Sequence, residues 1–199
     1  MSSVRMPRVM DADRQLVDRC QSGDRAAQIQ LYRGEVQRVH GILYRVLGSS
    51  ATEDLVQETF IRVFRSLPQF RGAAQLSTWI GRIALNVAYD HLRARKPAPA
   101  RLEAVPELES DDPSAERRML AREGLRRLYL ILDRLDARQR IAFTLHVIDG
   151  RSLVEVADLM SASLVATKTR VWRGRREVER RAQKDPILSS YLGALGGET

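Results

Sequence analysis

The sequence has only one cysteine, Cys20, and no apolar run long enough to cross a membrane. A single thiol cannot form an intrachain disulfide, which excludes a small secreted scaffold held together by disulfides. A membrane-spanning helix needs about 20 consecutive apolar residues. The basic first ten residues are not followed by an apolar stretch, so they do not have the pattern of a signal peptide. These absences favour a cytoplasmic protein with no membrane-inserted segment.

The sequence also lacks the residue clusters that catalysis or cofactor binding requires. His40, His91 and His146 stand far apart, and none has a cysteine or histidine partner at metal-ligand spacing. There is no glycine-rich loop of the phosphate-binding type. Catalysis needs converging acid, base or nucleophilic groups. We therefore expect a protein that is not an enzyme and that needs no cofactor or metal.

Positive charge is what the chain has in excess. It carries 33 Lys and Arg against 25 Asp and Glu, for a formal net charge of +8. An excess of this size points to a polyanionic partner, either nucleic acid or an anionic membrane surface. The arginine-rich segment 170–181 lacks the bulky apolar face of a helix that lies on a membrane. Nucleic acid is therefore the favoured partner.

Apolar residues recur at spacings of three and four along most of the chain, which is typical of α-helices. We predict an all-α fold of two small helical domains, at residues 11–96 and 114–185, with tails at 1–10 and 186–199. Residues 97–113 carry four prolines and five acidic side chains. Such a composition cannot bury enough apolar surface to fold, so it predicts a flexible acidic linker.

Three helices are expected in the first domain. Apolar positions from Ile29 and Tyr32 to Val46 outline a long one, and Cys20 occupies an apolar position before it. Ser50 and Glu53 fit a capping box that would begin the second helix. The third is expected to begin near residue 77 or 78. In the second domain, one helix is outlined by a leucine series: Leu120, Leu125, Leu128, Leu132 and Leu135.

Residues 152–179 have the outline of a helix-turn-helix. Ala157 offers the small side chain that a close helix crossing needs, and Ser163 is expected to cap the second helix. Val171 and Trp172 are expected to pack back against the domain. The basic face of that helix would suit the major groove of DNA, where side chains reach base edges and phosphates. The alternative is an exposed basic helix that binds nothing specific.

Residues 54–96 resemble domain two of sigma factors of the sigma-70 family. The sequence DLVQETF at 54–60 is followed by FRG at 70–72, STWI at 77–80 and RIALN at 82–86, in the order and spacing of that family. The second domain is similar to domain four, with GRS at 150–152, EVA at 155–157 and KTR at 168–170. A chain with only these two domains resembles the extracytoplasmic-function group.

The resemblance implies a function and a set of partners. It implies a sigma factor that binds core RNA polymerase and directs promoter recognition and transcription initiation. The first domain would dock on the clamp helices of the largest polymerase subunit, and the second on the flap of the second-largest subunit. An anti-sigma protein is also implied. The residues implied in polymerase binding are Asp54, Gln57, Glu58, Arg62 and Arg65.

Promoter melting requires a place for an unstacked base. The loop 70–78 is the expected rim of such a pocket, and Trp79 could either stack on a base or belong to the core. Asp90 is expected to pair with a nearby arginine. The residues implied at the −10 element are Phe70, Arg71, Ser77, Thr78, Trp79, Arg82, Asn86 and Arg93. Those implied at the −35 element are Lys168, Thr169, Arg170, Arg173, Arg175 and Arg176.

The chain departs from the family where Val165, Ala166 and Thr167 replace the usual Gly-Thr-Val at the start of the recognition helix. The added bulk and the missing hydroxyl predict a changed contact with the −35 element. A stand-alone helix-turn-helix regulator is the alternative function. It would account for the second domain and the charge, but not for the pattern of the first domain.

Overall fold

The structure is a computed structural model that describes residues 8–48, 52–94 and 113–189. Within these ranges the chain is α-helical and contains no strand, as the sequence predicts. The first domain consists of α1 (Arg8–Gln21), α2 (Arg25–Leu47), α3 (Thr52–Ser66), a 3₁₀ turn (Leu67–Gln69) and α4 (Leu76–Ala94). The second consists of α5 (Pro113–Leu132), α6 (Ala137–Phe143), a π-helical turn (Thr144–Ile148), α7 (Leu153–Leu159) and α8 (Leu164–Ala182).

The long helix α2 has a defined beginning and end. Asp24 caps its N-terminus, because its carboxylate accepts hydrogen bonds from the amides of Ala26 and Ala27 at 2.8 and 3.1 Å. Gly48 ends the helix with a φ of 68°, a left-handed conformation that glycine adopts without steric cost. The core position predicted for Cys20 is confirmed, since that side chain is buried.

The long helix that the apolar spacing predicts is confirmed, but not all of the residues that outline it are buried. Ile29 and Tyr32, toward its N-terminal end, are 44% and 38% exposed. The buried stripe begins at Ala27 and Leu31 and continues through residues that face α3 and α4: Val39, Ile42, Leu43 and Val46. The Tyr32 ring still lies 4.6 Å from that of Phe60, so it covers the edge of the core.

Helices α3 and α4 begin close to where the sequence places them. Ser50, the predicted cap of α3, lies outside the described residues. Helix α4 begins at Leu76, one residue before the predicted range. Ile80 and Ala84 are fully buried, while Trp79 is partly buried against the same core.

Helix α5 begins at Pro113, which the sequence assigned to the linker; proline is favoured at the first position of a helix. The other linker residues lie outside the described ranges. The helix that the leucine series outlines is present, although Leu120 and Leu125 are 46% and 44% exposed. The buried part of α5 is instead its C-terminal end, where Tyr129 and Leu132 pack against α8.

The two domains pack against each other. Helix α4 contacts α6 and α7, and α2 contacts the π-helical turn. Ile141, Leu145 and Val156 of the second domain belong to the same apolar core as the helices of the first. A smaller core lies within the second domain and includes Leu188, beyond the end of α8. The sequence predicted the two domains but not this contact between them.

Candidate nucleic-acid interface

One face of α3 is polar and exposed. Asp54, Gln57 and Arg65 are exposed, and Ile61 lies among them with 53% of its surface accessible. These residues follow the spacing of three and four that places side chains on one helix face. Ile61 was missed in the sequence because its neighbours have the pattern of a solvated face. An apolar side chain between exposed polar ones was the available signal.

Arg62 is bound within the first domain. Its Nε donates to Glu58 Oε1 at 2.7 Å, and its Nη1 donates to Asp90 Oδ2 at 2.7 Å. The hydrogen bonds that Arg62 donates to the carboxylates of Asp90 and Glu58 raise its pKa above the usual value. The expected pairing of Asp90 with a nearby arginine is confirmed. Arg62 therefore links α3 to α4 and positions Glu58.

A cavity of about 240 Å³ lies at the loop that was expected to form the rim of a base pocket. Phe70, Arg71 and Gln75 line it from the loop, and Asp13 and Asp18 line it from α1. No feature of the sequence predicted the contribution of α1. With Arg14 of α1, the cavity is lined by one aromatic residue, two arginines, one glutamine and two aspartates.

Trp79 stands beside this cavity without lining it. Its ring centre is 5.0 Å from that of Phe70, at an interplanar angle of 51°. Contacts of this tilted type are favourable between aromatic rings. Trp79 is partly buried against the core, and its ring packs against the ring of Phe70. Ser77 and Thr78 occupy the first turn of α4 and are partly buried.

Arg82, Asn86, Tyr89 and Arg93 share one face of α4, since they are spaced by four, three and four residues. Asn86 and Arg93 are exposed, and the guanidinium of Arg93 lies 5.6 Å from the centre of the Tyr89 ring. Arg82 is bound to the second domain instead. It donates to the carbonyl of Asp158 at 3.0 Å and forms an ion pair with the carboxylate of the same residue.

The helix-turn-helix forms where the sequence predicts it. Ser152 and Glu155 form a capping box at the start of α7, which the sequence analysis had missed. The hydrogen bonds from Ser152 lower the pKa of Glu155. Ser163 caps α8 by accepting from the amide of Ala166 at 3.2 Å, as expected. Ala157 is buried where α7 crosses close to its neighbours, also as expected.

Helix α8 buries one stripe and exposes the other. The buried stripe comprises Thr167, Val171, Gly174, Val178 and Ala182. Trp172 is 58% exposed, so the expectation that it packs against the domain was wrong. It follows buried Val171 directly, and one residue along a helix turns the side chain by about 100°. The exposed side carries Lys168, Thr169, Arg173, Arg175 and Arg176, with Arg170 partly buried beside them.

Two apolar residues stand out on the exposed side of α8. Val165, at the departure from the family pattern, is 75% exposed at the start of the helix. Trp172 lies two turns further on, with the guanidinium of Arg176 at 5.4 Å from its ring centre. Thr167 is fully buried, so within the departing triplet only the first two positions can reach a ligand.

Within the described ranges, no three His, Cys, Asp or Glu side chains are grouped as a metal site. The same part of the chain has no helix that is long and apolar enough to span a membrane. The arrangement is that of a two-domain helical protein with a basic recognition helix in one domain and a polar cavity in the other.

Comparisons with known proteins agree with this arrangement. The family model for Sigma-70 region 2 matches residues 31–97, and that for Sigma-70, region 4 matches residues 125–178. The ECF RNA polymerase sigma-E factor of Escherichia coli K12 is 31% identical over 180 residues, covering 86% of this chain and 94% of the E. coli protein. The corresponding Haemophilus influenzae protein is 30% identical over 180 residues, with 86% and 95% coverage.

Solved structures include similar folds. CnrH, determined in complex with the cytosolic domain of CnrY, is 27% identical, with a TM-score of 0.59 over 88% of this chain and 99% of that one. The sigma factor RpoE of Bartonella quintana, determined in complex with the anti-sigma factor NepR, has a TM-score of 0.53. It is 22% identical and covers 78% of this chain and 96% of its own, so it supports the fold alone.

The chain therefore belongs to the extracytoplasmic-function group of the sigma-70 family, as its motifs suggested. It is a sigma factor that directs transcription initiation. Sigma factors are non-enzymatic DNA-binding regulators.

Proposed function

We propose that three surfaces of this chain bind three different targets during transcription initiation. The exposed face of α3 binds core RNA polymerase. The cavity beside α1 and the exposed end of α4 bind the −10 element, and the exposed side of α8 binds the −35 element. The single observation that carries this assignment is that the polar face of α3, the cavity with the exposed end of α4, and the basic side of α8 each lie on the domain whose family pattern implies that role.

The polymerase contact rests on α3. Asp54, Gln57 and Glu58 can pair with basic or amide groups of a partner helix, such as the clamp helices of the largest subunit. Ile61 gives this face an apolar centre that a partner would shield from water, which is the usual composition of a protein interface. Arg62 acts as a positioning residue, because it donates hydrogen bonds to Glu58 and Asp90 within the domain. Through its second domain the chain would contact the polymerase flap.

The −10 contact rests on the cavity and on α4. An unstacked base needs an aromatic neighbour and polar groups that reach its edge. Phe70 supplies the ring, and Arg71 lies with it in the cavity wall. Asn86 and Arg93 are exposed further along α4, where an amide can pair with a base edge and a guanidinium with a phosphate.

The −35 contact rests on the first three turns of α8. Lys168 and Thr169 are exposed near its N-terminal end, the part of a recognition helix that reads base edges. Arg173, Arg175 and Arg176 follow and would neutralise phosphates. Exposed Val165 can contact a thymine methyl group, which would make the −35 preference differ from that of relatives with glycine there.

This function requires a cytoplasmic location, where polymerase and DNA are found, and no catalytic activity of the chain itself. An anti-sigma partner is part of the proposal. It is supported by the similar structure of CnrH, which is 27% identical and was solved in complex with the cytosolic domain of a second protein, CnrY. Nothing in the chain identifies the partner or its signal.

The decisive experiment is transcription in vitro from a promoter library, with bacterial core polymerase and this protein together and each alone. We expect transcripts from a shared two-part promoter only when both are present. Lys168→Ala should weaken promoter binding roughly tenfold, because a base contact contributes about 1–3 kcal/mol. Lys184→Ala, which removes an exposed lysine beyond α8, is the matched control. Tight specific binding by the protein alone, without transcripts, would favour the stand-alone regulator.

A further inference from the structure

The side of α8 that points away from the protein carries an apolar stripe. Val165, Thr169 and Trp172 are spaced by four and three residues, and all three are exposed. At about 100° per residue they lie within roughly 60° of one another, opposite the stripe that α8 buries. We propose that these three side chains read the C5 methyl groups of pyrimidine bases in the −35 element. This inference rests on the proposed function, because it deepens the contact between α8 and promoter DNA.

Thr169 belongs to the stripe through its methyl group. Its hydroxyl donates to the backbone carbonyl of Val165 at 2.9 Å, one turn earlier in the helix. A threonine hydroxyl has a single proton to donate, so this proton is not available to an acceptor on a base. The γ-methyl group is the other branch of the side chain. Thr169 therefore offers a ligand an apolar contact, although its residue type suggests a hydrogen bond.

Trp172 ends the stripe and supplies its largest side chain. Its ring is 58% exposed, and the guanidinium of Arg176 lies 5.4 Å from the ring centre. This cation–π contact favours one position of the ring. An indole has one hydrogen-bond donor and no acceptor, so most of the exposed ring surface can make only apolar contacts. Burying that surface against an apolar group of a ligand would be favourable.

The surroundings of the stripe favour DNA over a protein as its partner. Lys168 flanks the stripe on one side and Arg173 on the other, and both are exposed. The first three turns of α8, residues 164–175, contain no acidic side chain. A major groove has base edges along its floor and phosphates along both rims. An apolar stripe between basic flanks matches that arrangement.

Thymine is the one standard base that presents an apolar group in the major groove, its C5 methyl. The methyl group of 5-methylcytosine stands at the same position of the ring. Val165 and Trp172 are seven residues apart, or about 10 Å along the helix at about 1.5 Å per residue. At about 3.4 Å per base pair, this length covers about three base pairs. We therefore expect the −35 element to contain two thymines that lie two or three base pairs apart.

The test starts from a library of random duplexes, from which the full chain in complex with bacterial core polymerase selects promoters. Each thymine of the selected −35 element is then replaced by deoxyuridine, which removes the methyl group and keeps the hydrogen-bonding groups of the base. We expect replacement at either of two thymines to weaken binding of the promoter duplex about fourfold, the loss expected when one methyl group leaves an apolar contact. A cytosine at the same position should also bind weakly, and 5-methylcytosine should recover about fourfold of the affinity.

Two conservative variants test the protein side of the contact. Thr169→Ser removes a methyl group and keeps the hydroxyl, and Val165→Ala shortens the side chain without introducing a polar group. Each should weaken binding to the unmodified promoter about fourfold and abolish the loss that deoxyuridine causes at one position. Val147→Ala is the matched control, because Val147 is 40% exposed in the π-helical turn, outside α8. It should change promoter binding less than twofold.

The possible failures of this test are distinguishable. Equal binding of every deoxyuridine-substituted −35 element would overturn the methyl contact and leave the proposed function intact. If the stripe variants weakened binding of core polymerase and not of the promoter, the stripe would belong to a protein interface, and the methyl contact would again be overturned. If the chain and core polymerase together selected no promoter beyond those of core polymerase alone, the proposed function itself would be refuted.

Discussion

Arg140 is the residue whose replacement should affect this fold most. Its side chain is 1% exposed, and it donates to Val46 and Leu47 of α2 while pairing with Asp133. Arg140→Met keeps much of the volume but removes all the donors. Two buried carbonyls and a largely buried carboxylate then lose their partner. Removing one member of a buried charged network costs about 3–5 kcal/mol.

The assay is thermal and urea unfolding of the full chain. At about 2–4 °C per kcal/mol for a protein of this size, the midpoint should fall by roughly 10 °C. Arg134→Met is the control, because Arg134 is exposed a short distance away along the chain. Its replacement should change stability by less than about 0.5 kcal/mol. If Arg140→Met lost less than about 1 kcal/mol, the contact would not be the structural element that we describe.

Two further substitutions test other contacts. Gly48→Ala should lower the free energy of unfolding in urea by about 3 kcal/mol, because alanine is strained at a φ of 68° and its Cβ would lie 2.3 Å from the Tyr129 ring. The control is Gly23→Ala, at a φ of 87° with open space around it, which should cost only about 1 kcal/mol. Equal losses for the two variants would contradict the predicted clash with Tyr129. Hydrogen bonds from two arginines on the next turn lower the pKa of Glu123 to about 2, from 4.5. The stabilisation from these hydrogen bonds is therefore fully present above pH 4.5 and is lost as the pH falls toward 2. Over that range the unmodified protein should be more stable than Glu123→Gln by less than about 1 kcal/mol, since the pair is exposed, and the difference should disappear in acid. A difference that stays constant with pH would argue against the assignment.

The sequence predicted those features that depend on neighbouring residues. The start of α8 is an example, because a serine cap acts within three residues and needs no tertiary context. The helix-turn-helix, the all-helical fold and the pairing of Asp90 with an arginine followed from spacing in the same way. Family resemblance added what spacing could not, namely expected polymerase and promoter roles for particular positions, and these remain predictions.

The error at Trp172 concerns which side of a helix is covered. Ile29, Leu120 and Trp172 all follow an apolar pattern and are all exposed, because periodicity marks an apolar stripe without saying how far a neighbour extends over it. Trp172 shows the reason most clearly. The stripe that α8 buries is made of small and medium side chains, and Gly174 allows α6 to come within 3.1 Å of where a Cβ would be. A large ring would not fit there.

The contact between the domains could not have been predicted at all. Arg140 has the sequence context of a solvated residue, between a glutamine and an isoleucine at the start of a helix. Its burial depends on α2, which lies some 90 residues earlier in the chain. Periodicity describes each helix separately, so it carries no information about a pairing at that separation.

The contact between the domains combines charged and apolar groups. Arg140, Arg45 and Asp149 form its charged part, whereas Ile141, Leu145 and Val156 belong to the same apolar core as the helices of the first domain. Separating the domains would expose that apolar surface to water, at a cost that grows with the area. Burial of the apolar residues therefore favours the packed arrangement, and replacing Arg140 within it would leave two helix carbonyls without their donor.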